Sequence, residues 1–353
     1  MIPAVQETGG RMSLDLHYEP EVLVPDITVL SEKEWQRYRR MGIGGSDAAA
    51  ACGLSPWKTA RDVYREKTGE ADGRQEEDNW VAKEIGKRLE ELVIQIFKKR
   101  TGLKPYAVRK MFRHPFYPFM LADVDYFVEI NGDVYAVECK TTFSFRMDEW
   151  EDGGIPRHYE MQGRHYMAVT NVKGIIFLCL YGNNESTFLM RRLKRDLKQE
   201  EELIEQEEWF WECVSERRPP AYTEQAPLVL KSIREQFEIR ENGQMNLPQE
   251  LASNVREYLK LKERKAELDS QSKQIEEQMK HSYAPIQEAM RGAEKGLIVL
   301  DGKRYTAGYT KRSTTSIGKA EMQTMRLMCP EVYEAYAKTK VSHSFYIKQE
   351  KAG

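Results

Sequence analysis

Phe119 to Thr142, FMLADVDYFVEINGDVYAVECKTT, is the stretch on which the reading of this chain turns. Two runs rich in Val, Tyr, Phe and Ile flank Asn131-Gly132, a dipeptide that tolerates the positive φ angles of a type I′ turn, so the stretch predicts a β-hairpin. With those two residues as the loop, Ile130 pairs with Asp133, and counting back along both strands sets Asp125 opposite Glu138. Opposed residues of an antiparallel pair share a face. One face therefore carries Asp123, Asp125, Glu138 and Lys140, while the other carries residues such as Val128, Tyr135 and Val137 and is free to enter a core.

Carboxylates at cross-strand distance repel unless a cation sits between them, and a pair of them supplies the hard oxygen ligands that Mg²⁺ prefers. Lys140, on the same face, is placed to orient a water or to neutralise charge as a phosphodiester is attacked. The plain alternative is a solvated strand face on which acids and a lysine simply pair.

The flanking segments predict an α/β unit with a mixed sheet. A helix over Val81 to Thr101 has the apolar stripe Ile85, Leu89, Leu92, Val93, Ile96 and Phe97, and Gly102 ends it. Glu90 falls at the edge of that stripe, where a carboxylate needs a partner such as a metal-bound water or a lysine. A helix over Pro156 to Thr170 carries Gln162 and precedes the apolar strand Gly174 to Tyr181.

Upstream, residues 1–30 read as an arm, and SEKEWQRYRR from Ser31 has the S-x-x-E capping box of a short helix. A glycine-rich turn then brings Ser46 and Asp47 to the start of an Ala-rich helix, which offers backbone N–H groups and a hydroxyl to an anion. The structural alternative makes Ser46 a plain N-cap. Arg39 lies seven residues before Ser46, so a short helix and a helix start could join guanidinium and hydroxyl as a pocket for a terminal phosphate.

Downstream, a charged helix is expected from Leu193 to about Arg218, anchored by Trp209, Phe210 and Trp211 and stopped by Pro219-Pro220. Residues 219–247 read as a linker. The rest, 248–353, reads as an accessory or assembly module: a long helix from Pro248 to Met290 without a convincing heptad seam, a hairpin around Asp301-Gly302, a last helix and a short strand at Phe345 to Ile347.

The chain of 353 residues is 41% hydrophobic and 31% charged, which describes a globular protein with one substantial core and a smaller unit. No run of eighteen apolar residues occurs, which excludes a helical membrane span, and the N-terminus lacks the pattern of a signal peptide, so the expected location is the cytoplasm. The five cysteines are scattered without a C-x-x-C pair and indicate neither a zinc ribbon nor an iron–sulfur cluster. His114, His158 and His165 match no metal-ligand spacing. With 54 basic against 56 acidic residues, an enzyme acting on DNA must concentrate its positive charge locally. Clusters stand at Arg37 to Arg40, Lys98 to Arg100 and Arg191 to Arg195.

Glu90, Asp125, Glu138-Cys139-Lys140 and Gln162, taken in order, resemble the YqaJ-type viral recombinase family, the lambda-exonuclease branch of the PD-(D/E)XK nucleases. GIGGSDAAAACGLSPWKT, GKRLEELV and HYEMQGRHYMAVT carry the same resemblance over residues 35–218, and residues 248–349 fit it more loosely. The resemblance implies a PD-(D/E)XK core over 31–218 and a Mg²⁺-dependent 5′ to 3′ exonuclease on double-stranded DNA ends, with Mn²⁺ as a substitute ion. It further implies a single-strand annealing protein as partner, a homo-oligomer such as a ring trimer, and a phage or prophage protein in a bacterial host. It assigns Asp125, Glu138 and the backbone carbonyl of Cys139 to the metal, Lys140 to catalysis, Glu90 to the metal and water shell, Gln162 to the nucleophile side, and Arg39 with Ser46 to the 5′ phosphate. Val124-Asp125-Tyr126 replaces the family's Pro-Asp-Gly, which keeps Asp123 as an alternative ligand. Two competing functions are a non-catalytic DNA-binding protein of this fold, which predicts an eroded acidic pair or lysine, and an endonuclease without end preference. Neither the pair nor the lysine is eroded here.

Overall fold

The computed structural model describes residues 14, 16–70, 80–142, 149–150, 152–182, 184–237, 239, 243–338, 345 and 347. The chain divides into two compact units, Met1–Arg240 and Glu241–Gly353. The first unit runs β1 (Glu21–Val24), α1 (Glu32–Arg39), β2 (Ile43–Gly44), α2 (Gly45–Ala51), α3 (Ala60–Thr68), α4 (Trp80–Thr101), β3 (Met111–Arg113) and β4 (Met120–Ala122). It continues through β5 (Tyr126–Ile130), β6 (Asp133–Thr142), α5 (Arg157–Thr170), β7 (Gly174–Tyr181), β8 (Phe188–Lys194), α6 (Leu197–Ser215) and α7 (Ala226–Gln236).

The hairpin forms in the expected register. Asn131 and Gly132 take φ of 55° and 86°, the two positive angles a type I′ turn requires, and Ile130 pairs with Asp133 and Tyr126 with Val137. β6 then pairs in parallel with β7, which pairs antiparallel with β8, giving a mixed sheet ordered β5-β6-β7-β8. Parallel neighbours need a crossover, and α5 supplies it. α4 packs Val93, Ile94 and Phe97 on the face that carries Val128, Tyr135 and Val137. α5 covers the opposite face, where Phe127 and Ala136 join the largest core cluster with Met167 and Phe177. A second sheet, ordered β1-β3-β4-β2, lies in the same unit. The expected mixed α/β core, with helices on both faces of the sheet, is thus present.

Several expectations need correction. The acidic strand face is covered by the crossover helix, and Glu138 is only 4% exposed, so the solvated-face alternative fails. On α4, Ile85 and Leu92 are exposed and Ile94 is buried instead, beside Val93 and Phe97. The arm contains β1, whose Glu21 and Val22 pair with Arg113 and Phe112. The charged helix begins at Leu197, after Asp196 caps it, since residues 188–194 alternate inward and outward as a strand. The basic cluster there does structural work: Arg191 donates to the Trp150 carbonyl at 2.7 Å, Arg192 lies over the Tyr135 ring and Arg195 grips Glu200 at 2.6 Å. Of the three aromatics on α6, Phe210 is buried and Trp209 exposed. The expected linker contains α7, whose buried Ser232 donates to Asp62 at 2.6 Å.

The second unit holds a 3₁₀ turn at Gln249–Leu251, α8 (Ala252–Met290), the hairpin β9 (Lys295–Leu300) and β10 (Lys303–Gly308), α9 (Lys319–Met328) and α10 (Pro330–Tyr336). Asp301 and Gly302 take the two positive φ angles of that turn, 50° and 74°. The expected strand at 345–347 includes Tyr346, which lies outside the described residues; Phe345 and Ile347 are in no strand.

Candidate active site

Asp125 lies just before β5, in line with the register that opposes it to Glu138, and its Oδ2 accepts the Cys139 amide at 3.1 Å. The N–H and C=O of one strand residue point to the same edge. The Cys139 carbonyl therefore faces the Asp125 edge of β6, beyond the start of β5. Burial, and next to it the charge of Glu138, raise the Asp125 carboxyl well above its ordinary range.

Glu138 is held from one side only. Its Oε1 accepts Lys140 Nζ at 2.7 Å and Gln162 Nε2 at 2.7 Å, and the Gln162 Oε1 in turn accepts Lys140 Nζ at 3.0 Å. Its Oε2 is buried and meets no hydrogen-bond partner among the described residues. Burial would lower the Lys140 pKa, but Glu138, with Tyr159 and Asp125, outweighs this and raises it, so Lys140 is a fixed cation. The Tyr159 ring lies 4.7 Å from Lys140 Nζ.

The orientation of Gln162 is set from α5 itself. Gln162 Nε2 also donates to the Tyr166 hydroxyl at 3.1 Å, and that hydroxyl donates to the Asp123 carbonyl at 3.3 Å. An amide has two N–H donors and one oxygen, so this chain fixes which end faces Glu138. Glu90 is half-buried on α4 and stands by the Tyr126 hydroxyl, whose pKa is raised by burial and by Glu90; the Asp125 carboxyl also feels its charge. Among the described residues, no three Asp, Glu, His or Cys side chains come together as a group able to hold a metal ion. The donors at hand are the two carboxylates of Asp125 and Glu138 and one carbonyl.

A second cluster forms around α2. Arg39 Nη2 donates to Ser46 Oγ at 2.7 Å and to Asp47 Oδ2 at 2.9 Å, with the guanidinium 4.9 Å from the Trp35 ring. Lys67 Nζ donates to Asp47 Oδ2 at 2.7 Å and to the Arg39 carbonyl at 2.8 Å. Burial alone would raise the Asp47 carboxyl; Arg39 and Lys67 outweigh it and hold it far below the usual carboxylate range. The N-cap of α2 is Gly44, so Ser46 is not the plain cap of the alternative reading. Its side chain remains exposed beside Arg39. Asp123 feels both clusters: burial raises its carboxyl, Arg39 pulls it down and Glu138 pushes it up.

A family model for the YqaJ-like viral recombinase domain matches residues 34–173, which hold both clusters. An uncharacterized protein YqaJ of Bacillus subtilis strain 168 is 31% identical over 323 residues, covering 91% of this chain and 95% of that protein. The chain belongs to the YqaJ-like viral recombinase family. Among solved structures, an alkaline exonuclease from Laribacter hongkongensis is 17% identical, with a TM-score of 0.45 over 57% of this chain and 98% of that one. A phage-related exonuclease from Haemophilus somnus 129PT is 15% identical, with a TM-score of 0.38 over 52% of this chain and 99% of that one.

In this YqaJ family member, sequence reasoning missed Asp47 as the centre of the Arg39 cluster, together with Lys67 and Tyr166. The last two had a signal. Lys67 continues the i, i+3, i+4, i+7 row begun by the buried Ala60, Val63 and Tyr64, and Tyr166 follows Gln162 by one helical turn. The ring of Tyr166 also explains Gly45: a Cβ there would come within 2.3 Å of it.

Proposed function

We propose that this protein is a metal-dependent deoxyribonuclease that digests double-stranded DNA from an end, in the 5′ to 3′ direction, and so supplies single strands for phage-type recombination. The observation that carries the reading is the buried Glu138 carboxylate, with one oxygen satisfied by Lys140 and Gln162 and the other unpartnered near Asp125. A buried acceptor left without a donor costs about 1–3 kcal/mol, more when charged, and a cation removes that cost. The all-oxygen donor set suits Mg²⁺, with Mn²⁺ as a substitute. Asp125, Glu138 and the Cys139 carbonyl would hold it, with Glu90 acting through a water. When bound, such an ion neutralises charge on the scissile phosphate and acidifies a coordinated water.

The side chains supply the remaining chemistry. Lys140, kept protonated, neutralises the charge that develops on the phosphate oxygens, and Gln162, with its amide fixed by Tyr166, orients the attacking side. Arg39 and Ser46 receive the 5′ phosphate. Both described bonds of Arg39 fall on Nη2, so its other nitrogens are the ones a phosphate would take. The same reading carries a single-strand annealing protein as partner, a homo-oligomer such as a ring trimer, and the cytoplasm of a bacterial host.

The test is digestion of linear duplex labelled at the 5′ or the 3′ end, with and without Mg²⁺, beside covalently closed circles. Release of the 5′ label first, only with the metal and never from circles, is the expected result. Cutting of circles would make the protein an endonuclease, and digestion that ignores chelation would remove the metal.

A further inference from the structure

Trp57 stands on the loop between α2 and α3 with 46% of its surface exposed. The loop is nonetheless firmly tied. The amides of Trp57 and Lys58 both donate to Ser55 Oγ, at 3.2 and 3.3 Å, and Thr59 and Asp62 close a reciprocal capping box. From the next residues, the Ala60 amide donates to the Glu224 carboxylate and Arg61 Nε to the Pro220 carbonyl, each at 2.6 Å. A fixed loop that keeps an indole in water forgoes burial free energy that a smaller or polar residue would not lose.

The position of the ring gives that exposure a direction. The indole meets His158 edge to face, with centroids 4.4 Å apart and planes at 81°, and lies 6.3 Å from the Tyr159 ring. His158 and Tyr159 are 4.1 Å apart, and Tyr159 sits 4.7 Å from Lys140 Nζ. A continuous aromatic row therefore leads from solvent to the lysine of the candidate active site. We propose that Trp57 is a stacking platform for a nucleobase unpaired at the DNA end, beside the phosphodiester acted on. The proposal rests on the nuclease reading and names the part of the substrate that the α2–α3 loop holds. Every base has a π face, so an aromatic shelf accepts ends of any sequence without reading hydrogen bonds.

The experiment uses the full chain in Ca²⁺ in place of Mg²⁺, with 5′-phosphorylated duplexes carrying 2-aminopurine either at the end or ten nucleotides inside. Wild type should change the fluorescence of the terminal probe and leave the internal one alone. Trp57→Leu, which keeps apolar bulk without a π face, should abolish that change and weaken end binding on the order of tenfold. Trp57→Phe should restore most of both, which a purely structural role in the loop would not require. Trp57→Leu that binds within twofold of wild type, or that leaves the terminal signal intact, overturns the platform while the nuclease reading stands. A wild type that binds no duplex end at all removes both. Loss of binding by Trp57→Leu and Trp57→Phe alike, with circular dichroism unchanged, also overturns it, because the face and not the indole itself is what is proposed.

Discussion

The two clusters of the site are built on opposite principles. Around Asp47, one carboxylate takes charge-assisted hydrogen bonds from Arg39 and Lys67 and is fully compensated. Around Glu138, two carboxylates share one nearby lysine, Asp125 is pushed up in pKa and one buried oxygen has no donor. The first arrangement is stable as it stands, whereas the second leaves a buried acceptor that, on the proposed reading, a metal ion completes. Pairing of this kind separates residues that hold a site's shape from residues that await a ligand.

The contrast is most exposed to failure at the acidic pair. Asp125→Ala and Glu138→Ala should each lower the cleavage rate on the order of a thousandfold or more, with the fold retained by circular dichroism, because on the proposed reading each removes a metal donor. Near-normal turnover by either variant would mean that the unsatisfied oxygen has no catalytic meaning. Asp47→Asn should behave in the reverse way and strike stability: it leaves Arg39 and Lys67 facing each other in a buried space, a loss of about 3–5 kcal/mol read from denaturant unfolding. The sign with pH follows. Because the folded carboxyl titrates far below its unfolded counterpart, its stabilisation is complete above about pH 4 and is lost as pH falls below that. Melting temperature of wild type should therefore drop through that acid window, and Asp47→Asn should be flatter there.

Lys140→Ala should cut the rate about a hundredfold with little change in DNA affinity in Ca²⁺, since its charge acts on the transition state. A collapse of affinity with the rate preserved would move Lys140 to phosphate anchoring. Wild type should digest 5′-phosphorylated ends faster than 5′-hydroxyl ends, and Arg39→Ala should erase most of a difference set by a charge-assisted bond of about 1.5–3 kcal/mol. Ser46→Ala should act the same way more weakly, and equal rates of wild type on both ends would leave the cluster purely structural. The smallest effect belongs to Tyr166→Phe. Removing its two hydrogen bonds, from Gln162 and to the Asp123 carbonyl, each worth about 1 kcal/mol, should lower kcat several-fold with KM unchanged, because the aim of Gln162 is relaxed. A raised KM at constant kcat would place Tyr166 in substrate binding instead.

The hairpin, its turn and the opposition of Asp125 to Glu138 were legible in the residues, because strand alternation and the φ demands of Asn131-Gly132 are local properties. The capping box at Ser31 and the stop of α4 at Gly102 were local in the same sense. Leu193 and Lys194 were misread as the start of a helix and the strand over 188–194 went unread, since Leu193 to Arg195 continue into a helical pattern and the pairing with β7 that makes the strand is long-range. The linker reading failed for a similar reason: α7 is held by Ser232, whose partners Thr59 and Asp62 lie far back in the chain.

What the sequence determined by itself is the set of chemical groups and their order along the chain: two acids and a lysine in strand register, a glutamine one helix later, an arginine seven residues before a serine. Tertiary structure alone decided which of these groups are satisfied. The parallel pairing of β6 with β7 brings α5 over the acidic face, and that burial removes the water that would otherwise solvate Glu138. In that dry setting one oxygen without a donor becomes costly, since hydrogen bonds and charges gain or lose most where solvent cannot compensate.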